Sequence, residues 1–305
     1  MKNKLFLLPL ILTVILAVVT FSCQTFMAIA DVSAQIAGAT GIIDPNVADA
    51  ISLSARAIGS AAEDITPEQE YFIGRAVAAN ILGSYTIWNG NPALTAYLNL
   101  ICTAITVNSP RPDIFSGYHV AILDTDEINA FATSGGHILI TRGLISAARS
   151  EDALAGVIAH EIAHIQLQHG IRAIRNNRIT QALLITGTAA VGAAAGMDVN
   201  ELTDVFNETI GEIVTTMVNN GYSQTQEFEA DNTAMSLMAS AGYNPSGLLD
   251  MLRVLTNIQV AGSAGFGSTH PTPTQRLDNA QRSVGNYTAA DNSSSRIARF
   301  TAATR

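Results

Sequence analysis

His160-Glu161-Ile162-Ala163-His164 sets two imidazoles four residues apart, with a carboxylate beside the first. A helix turns once per about 3.6 residues, so positions four apart lie on one face. Both histidines can then grip one metal ion, while Glu161 stands next to the ion without needing to ligate it. That layout suits a zinc hydrolase. Short motifs also carry false positives, and the bland alternative is a pair of core histidines bonded to backbone.

The surrounding residues predict a helix without help from the motif. Ser150 is a good N-cap, and Glu151 and Asp152 put negative charge in the first turn, where the helix dipole favours it. Leu154, Val157, Ile158, Ile162 and Ile165 follow with helical apolar spacing, and Gly170 offers a stop. The motif therefore belongs to a mostly buried helix. Two neutral imidazoles there need partners, because unpaired buried polar groups are costly.

A zinc site needs a third ligand. The chain has six histidines: His119, His137, His160, His164, His169 and His270. His169 lies five residues past His164, roughly 140° around a continuing helix and off the metal face, so it is expected to be a solvated or helix-end residue. A better source is Tyr222-Ser223-Gln224-Thr225-Gln226-Glu227-Phe228-Glu229-Ala230-Asp231. Ser223 or Thr225 can cap a helix that ends near Gly242, with Pro245 beyond it. Glu227 and Asp231 share a face one turn apart, whereas Glu229 points away. One carboxylate can bind a metal while the other holds a ligating histidine by its free N–H. Glu227 reads as the ligand and Asp231 as the orienting group; alone, such acids form a solvated helix face. Cys102, within Leu100-Ile101-Cys102, looks like a core thiol.

HEIAH, then Glu227-Phe228-Glu229-Ala230-Asp231, then Ser268-Thr269-His270-Pro271-Thr272-Pro273-Thr274-Gln275-Arg276-Leu277, resembles the zinc metallopeptidase family of the CAAX prenyl endopeptidases, HtpX and BepA. Asn129-Ala130-Phe131-Ala132-Thr133-Ser134-Gly135-Gly136 and Thr141-Arg142-Gly143-Leu144 resemble a further block of that family, so the likeness runs over about residues 66 to 283. It implies one zinc ion per chain, held by His160, His164 and Glu227, with Glu161 as general base. His270 matches a histidine that can approach the zinc, as a reversible fourth ligand or a transition-state stabiliser; a structural role beside Pro271 is the alternative. The chemistry asks for these residue types. Three protein ligands leave zinc an open position for water, whose pKa drops to about 7. Glu161 can take that proton and pass it to the departing amine.

Other elements must position these groups. Ile128 to Ala132 and His137 to Thr141 read as strands around a Gly135-Gly136 turn, and Tyr118 to Leu123 as another. In zinc proteases an edge strand above the metal pairs with extended substrate through main-chain bonds, and this hairpin is expected to supply it. The alternative is a hairpin that only shields the core. Thr66-Pro67-Glu68-Gln69 is a capping box with proline at N1, opening a helix to about Gly83, and Pro92 to Val107 reads as a second helix. The uncharged run from Ile179 to Met197 is expected to be a close-packed helix or flap, or else to touch a membrane.

Lys2 and Lys4 precede an apolar run from Leu5 to about Phe21, a signal-peptide pattern over residues 1–22. Val19-Thr20-Phe21-Ser22-Cys23 resembles a lipobox, which would leave Cys23 as a lipidated N-terminus; cleavage after Ala30 is the rival. Only Cys23 and Cys102 exist, so lipidation of Cys23 would leave no intramolecular disulfide. At 305 residues, 48% hydrophobic and 13% charged, the chain can bury a sizeable core. Loss of Lys2 and Lys4 takes the formal charge from −9 to −11, which argues against nucleic acid as a partner.

The expected organisation is a linker with N-terminal helices over residues 23–65, a metallopeptidase domain over 66–285, and a polar tail over 286–305 that frays. The expected fold is α+β, a zincin-like (gluzincin) metalloprotease domain, mostly helical, with a small sheet whose edge strand faces the active site. The expected function is a zinc endopeptidase of the bacterial periplasm, lipid-anchored to a membrane. Gln24 after the lipidated cysteine favours the outer one. Polypeptides, in the form of unfolded or stalled envelope proteins, are the implied substrates. The alternative is a non-proteolytic zinc-binding envelope lipoprotein with a chaperone or binding role.

Overall fold

A proline at the first helical position and a reciprocal pair of side-chain bonds start helix α1, Pro67–Leu82. Thr66 accepts from the Gln69 N–H, and the Gln69 side chain accepts from the Thr66 N–H, so two donors at the helix start are satisfied. The computed structural model describes residues 65–173, 221–260, 270, 273–288 and 293–304, with Gln35 and Ala39 as isolated positions. The leader, Cys23 and the run 179–197 lie outside the described residues. The chain divides into two units, Met1–Asp64 with Ala173–Thr203, and Ile65–Arg172 with Asp204–Arg305; the helices and strands named here belong to the second.

Asn91 caps α2, Pro92–Thr106, by accepting from the Leu94 N–H. Leu94, Leu98, Ile101, Cys102 and Ile105 form its buried stripe, and burial pushes the Cys102 thiol up to about 12, the behaviour of an inert core thiol. Three short strands follow: β1 His119–Leu123, β2 Ala130–Thr133 and β3 His137–Thr141. Their order is β1-β3-β2, with β1 parallel and β2 antiparallel to β3. The β2–β3 turn carries Gly135 and Gly136 at φ 86° and 95°, a region that favours glycine. Helix α1 presses on this turn: a Cβ on Gly74 would lie 1.2 Å from the Ser134 carbonyl oxygen. The outer side of β1 is bonded by the Asn99 side chain, at Val120, and by Trp88 N–H to Ile122 O. Strand β2 is the other edge, and it is the strand that packs closely on the helix carrying the two histidines.

After the short α3, Arg142–Ala147, Ser150 caps α4, Glu151–Gln166, by accepting from the Ala153 N–H. From Ala153 to Ile165 every residue of α4 is buried, which makes it the axis of the unit. It ends earlier than Gly170 suggests. Leu167 closes it, and Gln168 takes φ 54° before a new helical turn begins at His169. Ser223 and Gln226 form the capping box of α5, Gln224–Ser240, which lies along α4. Helix α6, Ser246–Val260, meets α4 at Gly156, where a Cβ would lie 2.9 Å from the Leu248 Cα. Helix α7 spans Pro273–Ser283.

The polar tail expected to fray contains a helix instead, α8, Ser293–Thr304. Arg296 is buried, donating to Asp152 at 3.0 Å and to the Gly242 carbonyl at 3.1 Å. Arg299 donates to Glu151 Oε2 at 3.0 Å, which also accepts from the Tyr97 hydroxyl at 2.9 Å. Two arginines thus tie the tail to acidic residues at the start of α4, an attraction that its polar composition hides. Among the described residues no helix is long and apolar enough to cross a membrane.

Candidate active site

His160 and His164 project from one face of α4, and Glu227 and Asp231 project towards them from α5. All four, with Glu161 and His270, are almost wholly buried. The two imidazole Nε2 atoms stand 3.0 Å apart. Glu227 lies 3.5 Å from His160 Nε2 through Oε2 and 3.6 Å from His164 Nε2 through Oε1. His270 Nδ1 sits 3.0 Å from Glu227 Oε1 and 3.3 Å from His160 Nε2. One ligand atom from each of His160, His164, Glu227 and His270 falls within 4.8 Å of all the others.

This spacing fits a shared cation. Ligand atoms at about 2.0–2.1 Å on a tetrahedral zinc ion stand about 3.3–3.4 Å apart. The charge fits as well. Among the described residues of this cluster, Glu161, Glu227 and Asp231 bring three buried carboxylates against the guanidinium of Arg276, three negative less one positive, so −2 with neutral imidazoles. A divalent cation cancels that imbalance, where an uncompensated buried charge would be expensive. The donor set of two imidazoles and a carboxylate is one that zinc accepts.

The δ nitrogens of His160 and His164 face away from the cluster. His160 Nδ1 is 3.0 Å from Asp231 Oδ1, which leaves Nε2 as the nitrogen turned inward. Arg276 grips Asp231 through Nε at 2.9 Å and Nη2 at 2.7 Å, and its Nη1 lies 2.7 Å from Glu227 Oε2. That last contact is an ion pair by distance, without hydrogen-bond geometry. Burial would raise the pKa of Glu227, but Arg276, His270 and His160 outweigh it and hold the group well below the usual carboxylate range. Asp231 is likewise lowered against its burial, by Arg276 and His160. Burial and Arg276 push His160 down, yet its bonds to Asp231 and Glu227 carry it up to about 9. Without a cation this ring keeps a proton that a metal must displace. Burial lowers His164 well below its ordinary value, and His160 adds to the effect, so that ring is neutral.

Glu161 stands apart from these bonds. Both of its carboxylate oxygens are buried and accept no hydrogen bond among the described residues, and Oε1 lies 3.5 Å from His270 Nε2. Burial raises its pKa.

Residue types at this spacing, on these elements, point to a metallopeptidase, and comparison with known proteins decides the family: the model for peptidase family M48 matches residues 93–284. The chain belongs to peptidase family M48. The Beta-barrel assembly-enhancing protease of Escherichia coli K12 is 28% identical over 259 residues, covering 79% of this chain and 49% of the relative. The Mitochondrial metalloendopeptidase OMA1 of Schizosaccharomyces pombe is 26% identical over 185 residues, 60% of this chain and 51% of the relative. Metalloprotease LoiP of Escherichia coli K12 is 26% identical over 150 residues, 49% of this chain and 56% of the relative. The chain spans about half the length of these relatives.

Three residues at this M48 site escaped the sequence reading. Arg276 is fully buried on a helix whose polar composition gives no burial signal. Tyr222 stacks on His164 with ring centroids 4.1 Å apart. His169, expected to be a solvated or helix-end residue, lies just past the end of α4 but is fully buried rather than solvated, with its Nδ1 2.8 Å from His164 Nδ1. An offset of roughly 140° holds only on an unbroken helix; the left-handed residue Gln168 breaks it and returns His169 to the His164 ring. Glu229 points away from the cluster and is half-exposed, pairing with His169 and Arg172.

Proposed function

We propose that this M48 chain is a zinc-dependent endopeptidase that hydrolyses peptide bonds with Glu161 as general base. The observation that carries the reading is the convergence of His160, His164 and Glu227 beside a buried carboxylate whose oxygens accept no hydrogen bond among the described residues. His160, His164 and Glu227 hold one zinc ion per chain. When bound, that ion supplies a Lewis acid that makes water more acidic and polarises a carbonyl oxygen. Glu161 takes a proton from the attacking water and hands it to the leaving amine nitrogen. Asp231, fixed by the Arg276 fork, keeps His160 in the tautomer that presents Nε2 inward. Strand β2, an edge of the three-stranded sheet by its order, takes an extended peptide as an added strand, so that main-chain bonds align the scissile carbonyl with little demand on sequence. His270 occupies the position that substrate must take, making this conformation a latent one.

The same reading extends to where the chain works. Residues 1–22 act as a signal peptide, Cys23 carries the lipid, and the protein sits on the periplasmic side of a bacterial outer membrane. Unfolded or stalled envelope proteins are its substrates, in a quality-control role. The leader and lipobox support this, together with a relative whose name ties it to β-barrel assembly.

A second reading has one observation in its favour. With His270 the cluster offers four protein donors, as closed structural zinc sites do, which suits a zinc-binding protein without proteolytic activity. The test uses the full chain: zinc per chain, and casein cleavage by wild type, Glu161→Gln and His270→Ala. The endopeptidase reading expects one zinc in each, cleavage unlocked or raised by His270→Ala, and a loss of at least about 100-fold on adding Glu161→Gln. Zinc-loaded, folded His270→Ala protein with no cleavage would support the binding reading.

A further inference from the structure

We propose that His169 is a positioning residue for the metal site: together with Glu229 it forms a relay that fixes the ring and tautomer of His164. The proposal deepens the reading of His164 as a zinc ligand and rests on it.

The relay is built from five contacts. His164 turns Nε2 towards Glu227 and His160, and Nδ1 towards His169 Nδ1 at 2.8 Å. His169 Nε2 then lies 3.2 Å from Glu229 Oε2, and Arg172 Nη1 lies 3.3 Å from the same oxygen. The proton positions follow by elimination. A ligating Nε2 carries no proton, so neutral His164 must keep its proton on Nδ1 and donate from there. His169 Nδ1 must therefore accept, which leaves the His169 proton on Nε2, donated to the Glu229 carboxylate. Every ring nitrogen is used once. His160 reaches a carboxylate directly, at Asp231; His164 reaches one through an intervening imidazole.

The backbone is shaped for this. Gln168 at φ 54° is the single non-glycine residue with positive φ among the described residues. Such a conformation costs roughly 1–3 kcal/mol and persists only when its surroundings enforce it. Here they do: Gln168 Nε2 donates to Glu70 Oε2 at 3.2 Å, and Arg111 pairs with the same oxygen at 3.4 Å. Arg111 also reaches the carbonyl oxygens of Ile165 and Gln166, at 3.5 and 3.4 Å, at the end of α4. A continuing helix would carry His169 away; this braced break sends it back into a fully buried place against His164. A histidine of mere packing value would need neither the break nor a carboxylate partner.

The test measures zinc affinity of the full chain by chelator competition, and the visible spectrum of its cobalt(II) form, for wild type, His169→Leu, His169→Asn and Glu229→Ala. Loss of a residue that orients a metal-bound histidine typically weakens binding about 10–100-fold. His169→Leu should fall in that range and shift the cobalt bands. His169→Asn, whose side-chain carbonyl restores an acceptor near Nδ1, should recover most of the affinity. Glu229→Ala, at a half-exposed position that leaves the fold intact, should lose severalfold. Zinc affinity and cobalt spectra within twofold of wild type for His169→Leu, or equal damage from the Asn and Leu variants, would overturn the proposal. If His169→Leu does not fold, unchanged affinity and spectrum in Glu229→Ala would overturn it. Absence of metal binding in the wild type is a separate result, which removes the site reading and the relay with it.

Discussion

Arg276→Met removes the guanidinium that faces two buried carboxylates in the site. The lost contacts are the fork to Asp231, at 2.9 and 2.7 Å, and the ion pair to Glu227, at 2.7 Å. All three side chains are almost fully excluded from solvent, so water cannot step in. With Arg276 gone, the formal charge of these buried side chains moves from −2 to −3 with neutral imidazoles, or from 0 to −1 once a bound divalent cation is counted. Breaking one partner out of a buried ion pair costs about 3–5 kcal/mol, because the charge left behind stays desolvated. At about 2–4 °C per kcal/mol for a folded unit of this size, the melting midpoint should drop by about 6–20 °C. Arg276→Lys keeps the charge but cannot fork across two oxygens, so its midpoint should lie between the two. Thermal unfolding followed by circular dichroism, on zinc-loaded full-length protein, reads the effect. An Arg276→Met midpoint within about 3 °C of wild type would refute the reasoning, since it would mean these carboxylates do not depend on the guanidinium.

The other predictions probe separate parts of the account. His270→Ala should raise the rate of casein cleavage, because it clears a ring that sits 3.0 Å from Glu227 and 3.3 Å from His160; a lower rate would make His270 a stabiliser of the reaction instead. Chelation should lower the melting midpoint and abolish cleavage, and added zinc should restore both. At a zinc concentration 100 times its dissociation constant the ligand contributes about 2.7 kcal/mol to stability, so an unchanged midpoint would count against a folded-state site. Arg296→Ala should destabilise the unit by about 1.5–3 kcal/mol through loss of its bonds to Asp152 and the Gly242 carbonyl, read in chemical denaturation. A change below about 0.5 kcal/mol would mean that the tail helix docks by other means.

Much of the site could be read from residue order because its rules are local. The capping box at Thr66, the cap at Ser150 and the glycine turn at Gly135-Gly136 each lie within a few residues and form as expected, and of the two caps offered for α5 it is Ser223 that forms. The four-residue spacings of His160 with His164 and of Glu227 with Asp231 place each pair on one face, and the structure brings both faces together. What escaped is non-local. His169 was misjudged because Leu167 and Gln168 carry no mark of a left-handed break and the only stop signal, Gly170, lies beyond His169; distant Glu70 and Arg111 brace the break. Arg276 and Arg296 sit on polar helices, where composition predicts solvent, and only their carboxylate partners far along the chain explain the burial. A charged residue carries no sequence mark of whether it will be buried, because that depends on which opposite charge folds against it.

X-ray absorption at the zinc edge, paired with a metal count on the full chain and on Glu227→Gln, tests the central claim most directly. The account predicts one zinc per wild-type chain, ligated by the nitrogens of His160 and His164 and a carboxylate oxygen of Glu227, with weakened binding and a changed oxygen shell in the variant. Folded, metal-replete wild type whose zinc spectrum and affinity match those of Glu227→Gln would contradict it.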